Sequence, residues 1–326
     1  MPPRVFSPPP APRLLRTENV HHTMLAHLHR FVPVTNRYFV EFGFNTNDFT
    51  VKANTYRLFL EGWRGLLLDG GHTNTSINLH TEFIKSTNIV RLFRKYDVPH
   101  EPDYVSIDLD SSDVWVLDAL LEGYRPRIVS AEYSSNVPWN YTLTYPDPAQ
   151  WDPTYMTSRV HMGLNGQDLP TNHGCYAGGA PRAFDMVARS HGYTMVTIMF
   201  YSDLFLVRND LLTDKLMQEL QRSTSKLWRN SLYNPGVIRT LENGAAINTW
   251  QLEKRMTPAQ AATVVDFAEW KRLRANGASM KSAVDGAQKV AGKALVEFAE
   301  MFARRDHTKR CYSELRGWKY AVDTGR

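Results

Sequence analysis

Cysteine is nearly absent: Cys175 and Cys311 are the two in 326 residues, too few and too far apart for a disulfide framework or a zinc site. Long apolar runs are missing too, since no stretch approaches the roughly 18 uninterrupted apolar residues of a membrane helix. The amino end has no apolar core of the kind a secretory signal needs. These absences point to an intracellular soluble protein in a reducing compartment, the cytoplasm first. Arg4, Arg13, Arg16, Arg30 and Arg37 against Glu18 keep a mitochondrial address as the alternative. The prolines at 2, 3, 8, 9, 10 and 12 oppose an amphipathic helix there. An acidic excess is also lacking. The net charge is +5 and the pI about 9.1, which permits a nucleic-acid partner without favouring one over a soluble enzyme. His21, His22, His27, His29 and His161 match no metal-ligand spacing.

What is present is an ordinary globular composition, 43% hydrophobic and 22% charged. Three regions follow from it: a flexible Pro/Arg-rich lead over 1–30, an α/β domain over 31–210 with an insertion at 134–175, and a helical extension over 211–326. That extension mixes basic residues such as Lys271, Arg272 and Arg274 with Glu269, Glu297 and Glu300. Such a mixture suits a solvated helical face as well as a protein-partner surface.

The organising pattern is an apolar strand that ends on a carboxylate. It occurs in Tyr38-Phe39-Val40-Glu41-Phe42-Gly43, Leu66-Leu67-Leu68-Asp69-Gly70-Gly71, Tyr104-Val105-Ser106-Ile107-Asp108-Leu109-Asp110 and Ile128-Val129-Ser130-Ala131-Glu132. In an open parallel sheet these ends converge on one rim, where ligands bind. Strands are expected at 38–42, 66–68, within 77–83, at 104–109 and at 128–131. Helices are expected near 54–60, 88–96, 114–121 and 180–190. Asn54 or Thr55 reads as a helix cap, Gly123 as a helix stop, and Asp113 or Asp110, with Ser111 and Ser112, as a cap for the helix from 114. Asp108 and Asp110 fall on one side of their strand, since strand side chains alternate. Strands at 194–199 and 203–207 are joined by three residues, too few for a parallel crossover, so they form an antiparallel hairpin. Beyond 211, helices are expected near 212–222, 257–275, 280–304 and 310–320. The fold class is therefore α/β, a doubly wound and mostly parallel sheet with a terminal antiparallel hairpin, plus a C-terminal helical extension. In the insertion, Trp139, Tyr141, Tyr145 and Trp151 suit either stacking on a ring or packing the insertion onto the domain.

The ordered set of Phe39-Val40-Glu41-Phe42-Gly43, Asn54-Thr55, Gly62-Trp63-Arg64-Gly65-Leu66-Leu67-Leu68-Asp69-Gly70, Asp103 to Asp110, Asp113 and Trp115, Val129 to Asn136, Tyr176-Ala177-Gly178-Gly179-Ala180, His191-Gly192-Tyr193 and Leu204 to Arg208 resembles FkbM-type S-adenosylmethionine-dependent methyltransferases. The likeness covers about residues 38–210 and implies the class I methyltransferase fold. It also implies a cofactor site made by Glu41, Gly43, Phe44, Asn45, Asp69, Gly70 and Asp108. Glu41 and the Gly43 backbone would hold the methionine part, and Asp69 the ribose hydroxyls. Asp110 and Glu132 would orient or deprotonate a hydroxyl of a glycan or small-molecule acceptor, or share a divalent cation. Two departures from the family pattern are the turn Phe44-Asn45-Thr46-Asn47-Asp48, without an acidic residue and second glycine in the usual places, and Gly178-Gly179-Ala180-Pro181. They leave a second reading, a non-catalytic scaffold of the same fold that joins a larger assembly, with or without RNA, through its basic helical tail.

Overall fold

The computed structural model describes residues 20–50, 53–109, 112–133, 141–144, 147, 149, 179–198, 203–216, 218 and 265–303. The strands are β1 (Tyr38–Phe42), β2 (Arg64–Asp69), β3 (Leu79–Thr81), β4 (Tyr104–Ile107), β5 (Ile128–Glu132), β6 (Leu143–Thr144), β7 (Tyr193–Ile198), β8 (Asp203–Arg208) and β9 (Val265–Asp266). The helices are α1 (Val20–Leu28), α2 (Tyr56–Leu60), α3 (Ile89–Lys95), α4 (Asp113–Gly123), α5 (Pro181–Ser190), α6 (Phe267–Ala275) and α7 (Met280–Ala303).

The main sheet has seven strands in the order β3-β2-β1-β4-β5-β8-β7. From β3 through β5 every pairing is parallel. β8 runs antiparallel to both β5 and β7, so it alone is reversed. Strand order turns around between β1 and β4, the position at which open α/β sheets form their ligand crevice. A parallel set closed by a hairpin in this order is the class I methyltransferase fold.

Both faces of the sheet are covered, and the strand sequences show why. Val40, Phe42, Leu66, Leu68, Val105, Ile107 and Val129 share one core with residues of α3 to α7. Phe39, Leu67, Tyr104, Ile128 and Phe205 share the other with Met24, Leu25 and Leu28 of α1 and Leu58 of α2. Full burial of each such side chain contributes about 2 kcal/mol. Two apolar faces per strand therefore require helices on both sides.

Within the described residues the expected elements stand close to where the sequence put them, with instructive differences; the helix expected over 310–320 and most of that over 212–222 lie outside the described residues. The strand expected over 104–109 ends at Ile107, and the Asp113 carboxylate accepts the Leu109 amide at 2.7 Å. Asp113 is thus not the cap of α4; it sits fully buried in the first turn and reaches back to hold the loop before it. Thr55 precedes α2 without a capping hydrogen bond, because its hydroxyl and amide are turned to Glu41. Gly123 ends α4 for a packing reason: a Cβ there would lie 2.9 Å from Val90 Cγ1 on α3. Of the helix expected over 257–275, residues 257–264 lie outside the described residues, 265–266 form strand β9, and α6 begins only at Phe267. The cap of α6 is Asp266, whose side chain accepts the Glu269 amide at 2.8 Å.

Residues 265–291 pack on the α/β core. β9 pairs with β6, which lies within the insertion. Phe267 and Trp270 of α6 contact Trp115 of α4 edge-on at 4.9 and 4.6 Å. Asp118 of α4 receives Lys271 of α6, and His191 after α5 lies 3.0 Å away. Gly286 of α7 lets the hairpin close, since a Cβ there would meet Leu273 Cδ1 at 2.5 Å. Among the described residues no helix is long and apolar enough to cross a membrane.

Candidate functional site

The site is built where β1 and β4 diverge. Gly43 follows β1 with φ +68°, and a Cβ on it would lie 1.8 Å from the carbonyl oxygen of Asp108. Only glycine satisfies both conditions. Its amide donates to Leu68 O at 3.1 Å, so the turn after β1 is seated between the carboxyl ends of β2 and β4.

The second left-handed residue of the turn is Asn45, φ 52°, a residue type that tolerates this region. Its amide donates to Asp69 Oδ2 at 2.8 Å. Asp69 Oδ1 accepts the Gly71 amide at 2.7 Å, the His72 amide at 2.9 Å and His72 Nδ1 at 2.7 Å. Burial opposes ionisation of Asp69, but the bonds from Gly71, His72 and Asn45 outweigh it and hold its carboxyl below the usual carboxylate range. Asn74 Nδ2 ties the next loop to this one, donating to Asn47 O at 2.8 Å and Asp48 Oδ1 at 3.0 Å.

Glu41 is buried on the α1/α2 side of the sheet. One carboxylate oxygen accepts the Asn54 amide at 2.9 Å. The other accepts the Thr55 amide at 2.9 Å and the Thr55 hydroxyl. The carboxylate thereby anchors the approach to α2 beneath the rim. Asn54 Nδ2 donates to Ser106 Oγ at 3.0 Å, Ser130 Oγ to Ser106 Oγ at 3.2 Å, and Tyr104 OH pairs with Ser130 Oγ at 2.6 Å. Burial, partly offset by the Ser130 and Ser106 hydroxyls, pushes the Tyr104 phenol well above its ordinary pKa. The polar ladder follows from register: Glu41 lies opposite Ser106, and Ser106 opposite Ser130. Strand alternation carries the same face upward to Asp69 and Glu132. Glu132 lies across from Asp203 of β8.

The structure thus gathers Glu41, Gly43, Asn45, Asp69, Gly70 and Asp108 around the switch point. Phe44 points away from the crevice: it is buried in the α1/α2 core, edge-on to Phe49 at 5.1 Å. Asp110 lies outside the described residues, as do Trp139, Tyr145 and Trp151. Among the described residues no cluster of three or more His, Cys, Asp or Glu side chains could hold a metal ion.

Sequence reasoning missed His72, Asn54, Ser106 and Asp203. Asp203 opens the second strand of the hairpin, and pairing that strand against the segment ending in Glu132 would have brought the two acids together. His72 carried no signal, because its bond to Asp69 depends on the fold of the Gly70-Gly71 turn.

No protein-family model matches the chain, and no curated protein does. Among solved structures, the chain is similar to the MycE methyltransferase from the mycinamycin biosynthetic pathway, in complex with Mg and SAH, at 12% identity. That match covers 63% of this chain and 53% of the other, with a TM-score of 0.28. The fold assignment stands on strand order and direction.

Proposed function

We propose that the chain is an S-adenosylmethionine-dependent methyltransferase of the FkbM type, acting on a hydroxyl of a glycan or small metabolite. The observation that carries this reading is the Gly43 turn pressed on the Asp108 carbonyl at the strand-order switch, with the Asp69 carboxylate beside it. A turn packed this closely fixes the backbone at the crevice mouth, and an ionised acid at the end of the second strand is the acceptor that a ribose diol needs. Among the described residues Asp69 Oδ2 carries one hydrogen bond, from Asn45, so it retains acceptor capacity.

The sulfonium cofactor supplies an electrophilic methyl group. The chain's own part is to orient the acceptor hydroxyl and take its proton, a role for which Glu132 at the rim is the candidate among the described residues and Asp110, which lies outside them, the other. Gly70 and the Asp108 backbone would line the cofactor side. A divalent cation shared by Asp110 and Glu132 belongs to the same reading. Asp108 would flank the cofactor from β4, and Glu41 acts from below by fixing Asn54 and Thr55.

One observation favours the second reading, a non-catalytic scaffold that uses 211–326 to join a partner assembly: the carboxylates of both Glu41 and Asp69 already receive protein donors. Titration with S-adenosylhomocysteine separates the two. Saturable binding that is lost in Asp69→Ala supports the enzyme. A folded protein that takes up no heat supports the scaffold.

A further inference from the structure

A ribose diol brings two hydroxyl groups, and Asp69 has one oxygen left to receive them. Its Oδ1 is filled by three donors: the Gly71 amide at 2.7 Å, the His72 amide at 2.9 Å and His72 Nδ1 at 2.7 Å. Among the described residues Oδ2 accepts the Asn45 amide alone, at 2.8 Å, and has room for one donor more. The carboxylate therefore cannot grip both hydroxyls, and the second needs an acceptor of its own.

His72 carries such an acceptor. The Asp69 carboxyl is held below the usual carboxylate range and is ionised at neutral pH. An ionised carboxylate only accepts, so His72 Nδ1 bears the proton in their contact. In the neutral imidazole that leaves Nε2 as the lone-pair nitrogen, since the bond made by one ring nitrogen sets the role of the other. Nε2 has no hydrogen-bond partner among the described residues and keeps solvent-accessible surface, on a side chain that is 32% exposed. The backbone beneath it is pinned from two sides. The His72 amide is held by Asp69, and its carbonyl accepts the hydroxyl of Thr81 at the end of β3 at 2.8 Å. The acceptor is thus carried on a fixed turn and aimed by a carboxylate, beside the one oxygen of Asp69 that is still open.

We infer that His72 is a second cofactor-binding residue, its Nε2 accepting one ribose hydroxyl while Asp69 Oδ2 accepts the other. The assignment rests on the methyltransferase reading and adds to it the group that completes recognition of the sugar. Oδ2 and Nε2 lie on either side of the filled Oδ1, and a cis-diol, with O–H groups on neighbouring carbons, can bridge acceptors set in this way. A deoxyribose reaches only one of them. A site built to pair with two hydroxyls discriminates against a ligand that lacks either, because an acceptor is then left without its donor.

The test is calorimetric titration of the full chain with S-adenosylhomocysteine and with its 2′-deoxy and 3′-deoxy forms. An asparagine amide can replace Nδ1 on Asp69 but stops short of the Nε2 position, whereas glutamine extends to Nε2 and gives up the Nδ1 contact. His72→Asn is therefore expected to bind S-adenosylhomocysteine at least about tenfold more weakly, and His72→Gln within about threefold of the unaltered chain. The unaltered chain should bind each deoxy form at least about tenfold more weakly. In His72→Asn one of the two should lose nothing further, because the hydroxyl it lacks has already lost its acceptor. If His72 served only to hold Asp69, the order of the two variants would be reversed. The side chain is partly exposed, so an unaltered melting curve for His72→Asn separates loss of binding from loss of fold. Undiminished binding by His72→Asn, equal losses in the two variants, or undiminished penalties for both deoxy forms in His72→Asn overturns this assignment and leaves the cofactor site standing. No binding by the unaltered chain overturns the methyltransferase reading, and the role of His72 with it.

Discussion

The α-carbon of Gly43 lies so close to the Asp108 carbonyl that a Cβ would sit 1.8 Å from that oxygen. The obstacle is backbone, which cannot rotate away, and φ of +68° adds strain for any L residue. Gly43→Ala is expected to cost about 3 kcal/mol or more and to separate the ends of β1 and β4. Urea denaturation measures the first effect, and titration with S-adenosylhomocysteine the second.

Asp69 gives a pH prediction. Its folded pKa is depressed, so its contribution to stability is complete above the ordinary carboxylate value near 4 and is lost as pH falls through the lower folded value. Asp69→Asn should destabilise by about 1–2 kcal/mol at pH 7. The deficit should shrink as the pH drops below about 4. A deficit that stays constant from pH 7 to acid would mean that charge is irrelevant at this position.

Asp118 joins α4 to α6 through Lys271 and to the end of α5 through His191. Burial alone would raise its pKa, but the His191 and Lys271 contacts prevail and lower it. The same sign applies: the clamp holds at neutral pH and is lost toward strong acid. Asp118→Asn should cost about 1–2 kcal/mol at pH 7. Hydrogen exchange should show faster opening of α6 and the first turns of α7, while β1 and β4 keep their protection.

Glu132 is the described candidate for the base. If it takes the acceptor's proton, Glu132→Gln lowers turnover about 10²-fold or more and leaves S-adenosylhomocysteine binding unchanged. Equal loss of binding and turnover would assign it to the cofactor side instead. The Asp203→Asn variant probes the cross-strand carboxylate in the same assay.

Legibility in the sequence followed physical range. The ends of β1 came directly from Tyr38 to Phe42, because an apolar run stopped by Gly43 is a local pattern. The reversed strand was also local: three residues between two strands leave no length for a crossover. By contrast, β4 stopped short of Leu109 because the buried Asp113 carboxylate takes that residue's amide. Nothing in the intervening residues announces that bond.

By itself, then, the sequence determined the alternation of strands and helices, the hairpin and the row of acidic strand ends, since these depend on periodicity and short-range sterics. Tertiary structure decided what each acid does. Glu41 is turned under the rim to hold Asn54 and Thr55, and Asp69 is bonded by Asn45, Gly71 and His72. It also decided that Gly123 serves the packing of α3 on α4 and that Lys271 reaches Asp118 across 153 positions. A carboxylate's partners depend on which loops converge on it in space, and that convergence is set by the packed sheet, beyond the reach of any local window of the chain.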